Sequence, residues 1–251
     1  MNRLSSIPYD VQEFLEGYPN NDHIDAGDRR QLCLKFYSNE FKCRPDGLLI
    51  EDLLDRWRGK YNELERRHGF IQWLFPIPEQ GLNMFANPLT KHEIEEITSS
   101  PAMLVRVRRA YELMLDFYGM ELLDTDTGLI GRKEDGWEER YQNLTSSSHN
   151  NLRITRILKC LSILSYPHYA APFVLHVLNE QSEHGLLSTP MLQNSLDRWW
   201  ANCNRNDQER ETIRDIITHI RDKSKKWVFT RATYEQMINT REEQGTLTVP
   251  N

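Results

Sequence analysis

The amino-acid sequence predicts an all-α fold, a compact multi-helix domain. Three observations lead there. Apolar residues recur at steps of three and four in segment after segment, the period of a helix with one face turned inward. The 12 glycines sit mostly where such segments end or turn. Polar capping residues, two of them followed directly by proline, stand where segments begin. No repeat of fixed period is visible. Six Trp within a 10% aromatic content can fill a core although only 39% of residues are hydrophobic, because large rings concentrate the apolar surface in few side chains.

Leu32, Phe36 and Tyr37 place a helix inside DRRQLCLKFYSNEFK. Pro45-Asp46-Gly47 then makes a turn. The next stripe runs through Ile50, Leu53, Leu54, Trp57, Tyr61 and Leu64. Gly59 can divide it, and Gly69 can stop it in a left-handed cap. The segment FIQWLFPIPEQGLNMFANPL is densely apolar, but Pro76, Pro78 and Pro88 forbid a continuous helix. A short helix to about Leu74 is expected there, followed by an ordered loop rich in aromatics and proline. Thr90 and Glu93 fit a capping box. Ser100-Pro101 opens a longer helix carrying Leu104, Val107, Tyr111, Met114, Leu115 and Tyr118, and Gly119 ends it.

Between Glu121 and Ile130 the pattern fits either a hairpin around Asp126-Thr127-Gly128 or a loop, and Trp137 to Leu144 forms a short helix. SSSHNN caps a helix whose stripe includes Leu152, Leu158, Leu161 and Leu164. Pro167 opens another, with Tyr169, Phe173, Val174 and Val177, closed near Gly185. Thr189-Pro190 starts the next, with Leu192, Leu196, Trp199 and Cys203; Asn206 caps the one that carries Ile213, Ile216, Ile217, Ile220 and Trp227. Consecutive helix pairs after Asn150 allow a HEAT-like arrangement of the C-terminal half. The expected organisation is one domain over residues 1–227, then a weak helix around Tyr234 to Ile238 and a flexible tail. Trp57, Leu104, Tyr111, Leu158 and Leu161 are expected in the core.

Acidic residues outnumber basic ones by 37 to 31, a net charge of −6, which disfavours a protein that grips nucleic acid by charge. No apolar run approaches the roughly 20 residues of a membrane helix, and the N-terminus lacks the apolar core of a secretory signal. Cys33, Cys43, Cys160 and Cys203 form no CxxC pair, so a reducing compartment is expected. His168 and His176 are eight residues apart, too far along a helix to share one ion. Asp124 and Asp126 resemble the start of a calcium loop, but the glycine stands one place early and Asp135 replaces the bidentate Glu. A polar turn is the stronger reading, and no metal or cofactor is expected. Nucleophile elbows, phosphate-cradling glycine loops and dinucleotide fingerprints are absent, so no enzyme is expected.

Two constellations stand out. One is Phe70 to Pro76, more apolar than a loop requires: either a core plug or the lining of a ligand groove. The other is Ser148 to Arg156, where Arg153 and Arg156 either make structural pairs or, with a helix N-terminus, form an anion site. Core and structural roles carry the greater weight in both.

At these same segments the chain resembles the opioid growth factor receptor family. The resemblance runs through FYSNEF, LIEDLLDRWRGKYNELERRHGFIQWLFPIPEQGLNMFANPLTKHEIE, RRAYELMLDFYGMEL and, most closely, RYQNLTSSSHNNLRITRILKCLSIL. It covers about residues 34–183 and fades after Leu187. It implies a soluble, non-classical opioid receptor, unrelated to the seven-helix receptors, that binds Met-enkephalin and restrains cell growth. It also implies association with the nuclear envelope and a place in cytoplasm and nucleus. The family's nuclear import is attributed to basic segments, whose nearest equivalent is Arg221, Lys223, Lys225 and Lys226, an interleaved cluster expected on a helix. Family resemblance supplies no pocket, so the site is argued from the ligand. An enkephalin offers an amine, two rings joined across a Gly-Gly spacer, a Met side chain and a carboxylate. Trp73 and Phe75 are candidates for the apolar contacts, Arg153 or Arg156 for the carboxylate, and Glu112 or Asp116 for the amine. The alternative is a helical scaffold that binds other proteins and has no dedicated peptide pocket.

Overall fold

The computed structural model describes residues 7–19, 30–222, 224 and 226–249. Local chemistry sets its helix boundaries. Helices α1 (Tyr9–Leu15), α2 (Leu32–Tyr37), α3 (Ile50–Arg56), α4 (Tyr61–Arg66) and α5 (Phe70–Leu74) are short, and α3 and α4 are divided at Gly59, which takes a positive φ. Before α6 (Lys91–Ser99), Thr90 accepts from the Glu93 amide while Glu93 accepts from the Thr90 amide. The same buried carboxylate accepts from the amides of Cys33 and Leu34 at 3.0 and 3.2 Å, so it serves the first turn of α2 as well. One side chain thus satisfies amides in two helix starts.

Ser100 caps α7 (Pro101–Tyr118), which ends at Gly119 with φ of 84°. A Cβ there would stand 2.8 Å from Arg140 and 2.9 Å from the Trp137 carbonyl, so both conformation and space require glycine. A two-stranded antiparallel hairpin follows, β1 (Met120–Leu122) with β2 (Ile130–Arg132), pairing Glu121 with Gly131. Its turn is polar: the Asp124 carboxylate accepts from the amides of Asp126 and Thr127. Then come α8 (Trp137–Ser146), α9 (His149–Ile163), α10 (Ala170–Glu183), α11 (Pro190–Arg198), α12 (Asp207–Arg221) and α13 (Arg231–Gln244). Thr189, Asn206 and Thr230 cap the last three through their side chains.

The hydrophobic core is continuous from Cys33 to Leu247. Trp57, Tyr111, Leu158 and Leu161 are buried as their stripes require, whereas Leu104 is only half-buried. Four further expectations are corrected. Gly69 is not a left-handed cap but has φ of −68°, and α4 stops earlier, at Arg66. Leu152 points outward and is 72% exposed. The C-terminal half is not a stack of helix pairs, in which each unit would touch only its neighbours. It gathers α9, α12, α13 and β2 around α10, which is buried on nearly all sides. The segment after residue 227 is no loose appendage: α13 buries Tyr234, Met237 and Ile238, and Phe229 and Leu247 lie in the same core. Tyr234 Oη accepts from the Ile130 amide at 2.9 Å, and Arg241 grips the buried Glu209 with two nitrogens. The tail's last two residues lie outside the described ones, as do Lys223 and Lys225 of the basic cluster; Arg221 is the last residue of α12.

Beneath the hairpin, Arg132 binds Glu180 of α10 at 2.8 and 2.6 Å. Beside that pair, His176 Nε2 lies 2.9 Å from the Tyr141 hydroxyl, and Nδ1 has no partner among the described residues. Glu180 is 3.8 Å from the ring, yet its charge is already claimed by Arg132. Burial therefore dominates, with Arg231 and Arg132 adding repulsion, and the pKa is pushed from 6.5 down to about 3. The unfolded chain binds this proton first as pH falls, so the neutral ring's contribution is complete above about pH 6.5. It declines towards pH 3. Thermal unfolding should show a stability loss across that window, at most about 1.4 kcal/mol per pH unit from this group. His176→Gln should flatten the slope; an unchanged slope would assign the acid sensitivity to other groups.

Candidate functional site

Helix α9 crosses from one half of the chain to the other with a polar face: Asn150, Arg153, Arg156 and Lys159 recur every three residues. That spacing winds a stripe slowly round the helix. Arg153 reaches the end of α4. Its Nη1 donates to the Leu64 carbonyl at 2.9 Å and to Asn150 Oδ1 at 3.1 Å. Its Nη2 donates to the Arg67 carbonyl at 2.6 Å, near the Glu65 carbonyl and His68 Nδ1, and the guanidinium stacks over Phe70. Arg153 is thus the cap of α4, supplying from 86 or more residues away what Gly69 does not supply locally. Burial lowers its pKa, but arginine keeps its charge.

One turn on, Arg156 Nε donates to the Phe75 carbonyl at 2.8 Å. Its two terminal nitrogens make no hydrogen bond or ion pair among the described residues. Burial pulls its pKa down as well, with no carboxylate in direct contact to restore it. One turn further, Lys159 is only 1% exposed. Its ammonium donates to the Asp10 carbonyl and carboxylate and to Glu79, all at 2.7–2.9 Å. Tyr18 donates to Glu79 at 2.9 Å and the Trp199 indole to Asp10 at 3.3 Å. Two carboxylates share one ammonium, leaving this end of the site one negative charge in excess.

A groove of about 850 Å³ runs along this face of α9, from His149 to Lys159, and Arg153 and Arg156 both line it. Ten residue steps of helix make it about 15 Å long. Its volume lies in the range of ligand sites. The opposite wall is the segment from Ile77 to Phe85. Asn83 pins that segment by donating to the carbonyls of Arg44 and Gly69, and Leu89 donates to the Ile77 carbonyl. The fixed rim projects Leu82 (97% exposed), Met84 (90%) and Phe85 into solvent, facing the exposed Leu152 across the groove. His68 and His149 meet edge to face at the end near the start of α9.

Of the six candidate residues, the structure brings Arg153 and Arg156 to one groove and places the other four outside it. Trp73 is packed between Phe36 and Phe41, with its indole donating to the Arg44 carbonyl, and Phe75 is fully buried. Both rings plug the core. Glu112 pairs with Arg108, and Asp116 holds Lys133 at 2.7 Å together with the Tyr61 hydroxyl. The acids that do line the groove, Asp10 and Glu79, carry no local sequence signal, because their partner Lys159 lies 149 and 80 residues away. Two lining residues did carry one. Gln72 is the single polar residue in FIQWLF, and Lys159 interrupts the apolar run of ILKCLSIL.

A family model described as the opioid growth factor receptor (OGFr) conserved region matches residues 26–236. The chain belongs to the opioid growth factor receptor family. It is 43% identical to the opioid growth factor receptor of Mus musculus over 214 residues, which is 84% of this chain and 33% of that protein. To the Homo sapiens receptor it is 41% identical over 217 residues, 86% of this chain and 32% of that one. The opioid growth factor receptor-like protein 1 of Mus musculus is 39% identical over 204 residues, 81% of this chain and 43% of that protein. The chain therefore spans a third to two-fifths of the length of these relatives. No solved structure matches it. Among the described residues no helix is long and apolar enough to cross a membrane.

Arg153 is placed by the fold to support the groove wall, with four of its five N–H groups directed at protein acceptors. Arg153→Ala should lower stability by about 2–3 kcal/mol, since one buried carbonyl and two part-buried ones lose their donor together. Arg153→Lys should recover only part, because an ammonium cannot span carbonyls matched to a planar fork. Denaturant unfolding of the three proteins checks this. A loss below about 1 kcal/mol for the alanine variant would mean that water replaces the cap.

Proposed function

We propose that this groove is the receptor site for a short enkephalin-type peptide, Met-enkephalin being the probe the family's name points to. The observation that carries the reading is Arg156: a cation at the groove, fixed by one bond to the Phe75 carbonyl and unspent at both terminal nitrogens. Such a group takes a carboxylate with two parallel bonds. The excess negative charge of Asp10 and Glu79 around Lys159 suits a peptide amine, and Leu82, Met84, Phe85 and Leu152 offer apolar contacts to its side chains. Arg156 and Lys159 are one helical turn apart, so a zwitterionic pentapeptide binds with its ends drawn together. A Gly-Gly spacer permits that bend. Growth restraint, and action in cytoplasm and nucleus, belong to the same proposal through the family resemblance.

A second reading rests on the rim. Four exposed apolar side chains bordering one groove suit a longer segment of another protein, in which case the pentapeptide alone binds weakly and is not the biological partner.

Calorimetry of the peptide acid and the peptide amide against wild type and Arg156→Ala tests the first. The acid should lose roughly 1.5–3 kcal/mol on substitution, as for a lost hydrogen bond to a charged group. The amide should bind wild type weakly and be indifferent to the change. Equal losses for both peptides, with the variant shown to be folded, would return Arg156 to the scaffold.

A further inference from the structure

Gln72 sits in the groove wall on α5, only 6% exposed, amid five apolar neighbours in sequence. Its carboxamide makes no hydrogen bond to any described residue, and its Oε1 is buried without a partner. Burying an amide unpaired is unfavourable, and a hydrophobic residue of the same size would avoid the cost. The surrounding chain accommodates the group deliberately. Gly81 on the facing loop lies so close that a Cβ there would stand 2.1 Å from Oε1 and 2.3 Å from Cδ. Gly81 does not have a positive φ, so its backbone does not demand glycine. What demands it is room for the Gln72 side chain.

We infer that Gln72 hydrogen-bonds a main-chain peptide unit of the bound ligand, with Gly81 as its positioning residue. This rests on the groove being a peptide site and names the chemistry by which it would select peptides. A carboxamide is a copy of the peptide unit, one donor and one acceptor held in a plane. A main chain offers a partner to either end, its C=O to Nε2 or its N–H to Oε1. Rotation of the terminal bond lets either end face the groove, so one fixed residue meets whichever group the peptide presents. Arg156 would read any carboxylate; Gln72 adds a preference for a carboxylate attached to a peptide over a simple apolar acid.

The test is calorimetry with Met-enkephalin and four analogues, each with one peptide unit replaced by an E-alkene that keeps the shape and removes both polar groups. Gln72→Met keeps the volume of the side chain and removes its carboxamide. It should weaken Met-enkephalin about 3- to 10-fold. One alkene analogue should show the same loss on wild type and no further loss on Gln72→Met, the coupling expected of two groups that bind each other. Gly81→Ala should match Gln72→Met in both respects, because the added methyl displaces the carboxamide. A purely structural Gln72 would instead weaken all five peptides alike on substitution, and that result overturns the inference. So does a Gln72→Met protein that binds Met-enkephalin as wild type does, which leaves the peptide site standing. Absence of binding to wild type overturns the peptide site and this inference together.

Discussion

Between Leu64 and Phe75 the main chain turns too often to pair its own carbonyls. Helix α4 ends at Arg66 without a local cap, α5 lasts five residues, and Pro76 and Pro78 prevent either from continuing. Each carbonyl left dry and unpaired costs about 1–3 kcal/mol. The donors come from α9. Arg153 takes the carbonyls of Leu64 and Arg67, Arg156 takes that of Phe75, and Lys159 takes that of Asp10. Arg153 and Arg156 thus replace the backbone pairing that the proline-broken segment lacks, and Lys159, on the same helix face, ties in α1 and Glu79. Their own burial is tolerated because each sits against oxygen: carbonyls for the arginines, carbonyl and carboxylates for the lysine.

That arrangement also makes the groove. The proline-broken segment is held to α9 by long side chains and not by intimate packing of helix against helix, and the space between them stays open. Its walls are accordingly mixed: cationic and amide groups from α9 and α5, acids from α1 and the loop, and a rim of apolar side chains held by Asn83. Two of the cations are consumed by support. Arg156 is supported at Nε and has no further partner among the described residues, which makes it the group proposed to meet a ligand. The neutral counterpart is Gln72, buried without a partner in a wall that has glycine where any side chain would crowd it.

Capping boxes, glycine stops and apolar stripes were legible in the sequence because they are local. Thr90 with Glu93, Ser100 and Asn206 each satisfy amides within three residues. Periodicity says which residues share a face, not what the face meets. Leu152 lies on a stripe yet borders the groove, and Trp73 and Phe75, rings in an apolar run, serve the core. Glu112 and Asp116 are the conspicuous acids on α7, but both have cationic partners. Asp10 lay in α1, a helix whose seven residues give too short a stripe to read. Helix α13 looked weak because it buries few residues; its anchorage is a tyrosine hydroxyl on the hairpin and an arginine on Glu209, neither of which leaves a periodic trace.

On the proposed reading, the face of α9 which supports the proline-broken segment is also the face that receives a ligand. Backbone amide resonances of the isotope-labelled protein, followed during titration with Met-enkephalin, test it most directly. Saturable shifts are expected to concentrate at Gln72, Gly81 to Phe85 and Leu152 to Lys159, with α7 undisturbed. Shifts centred on Glu112 and Asp116, or none at millimolar peptide, would contradict it.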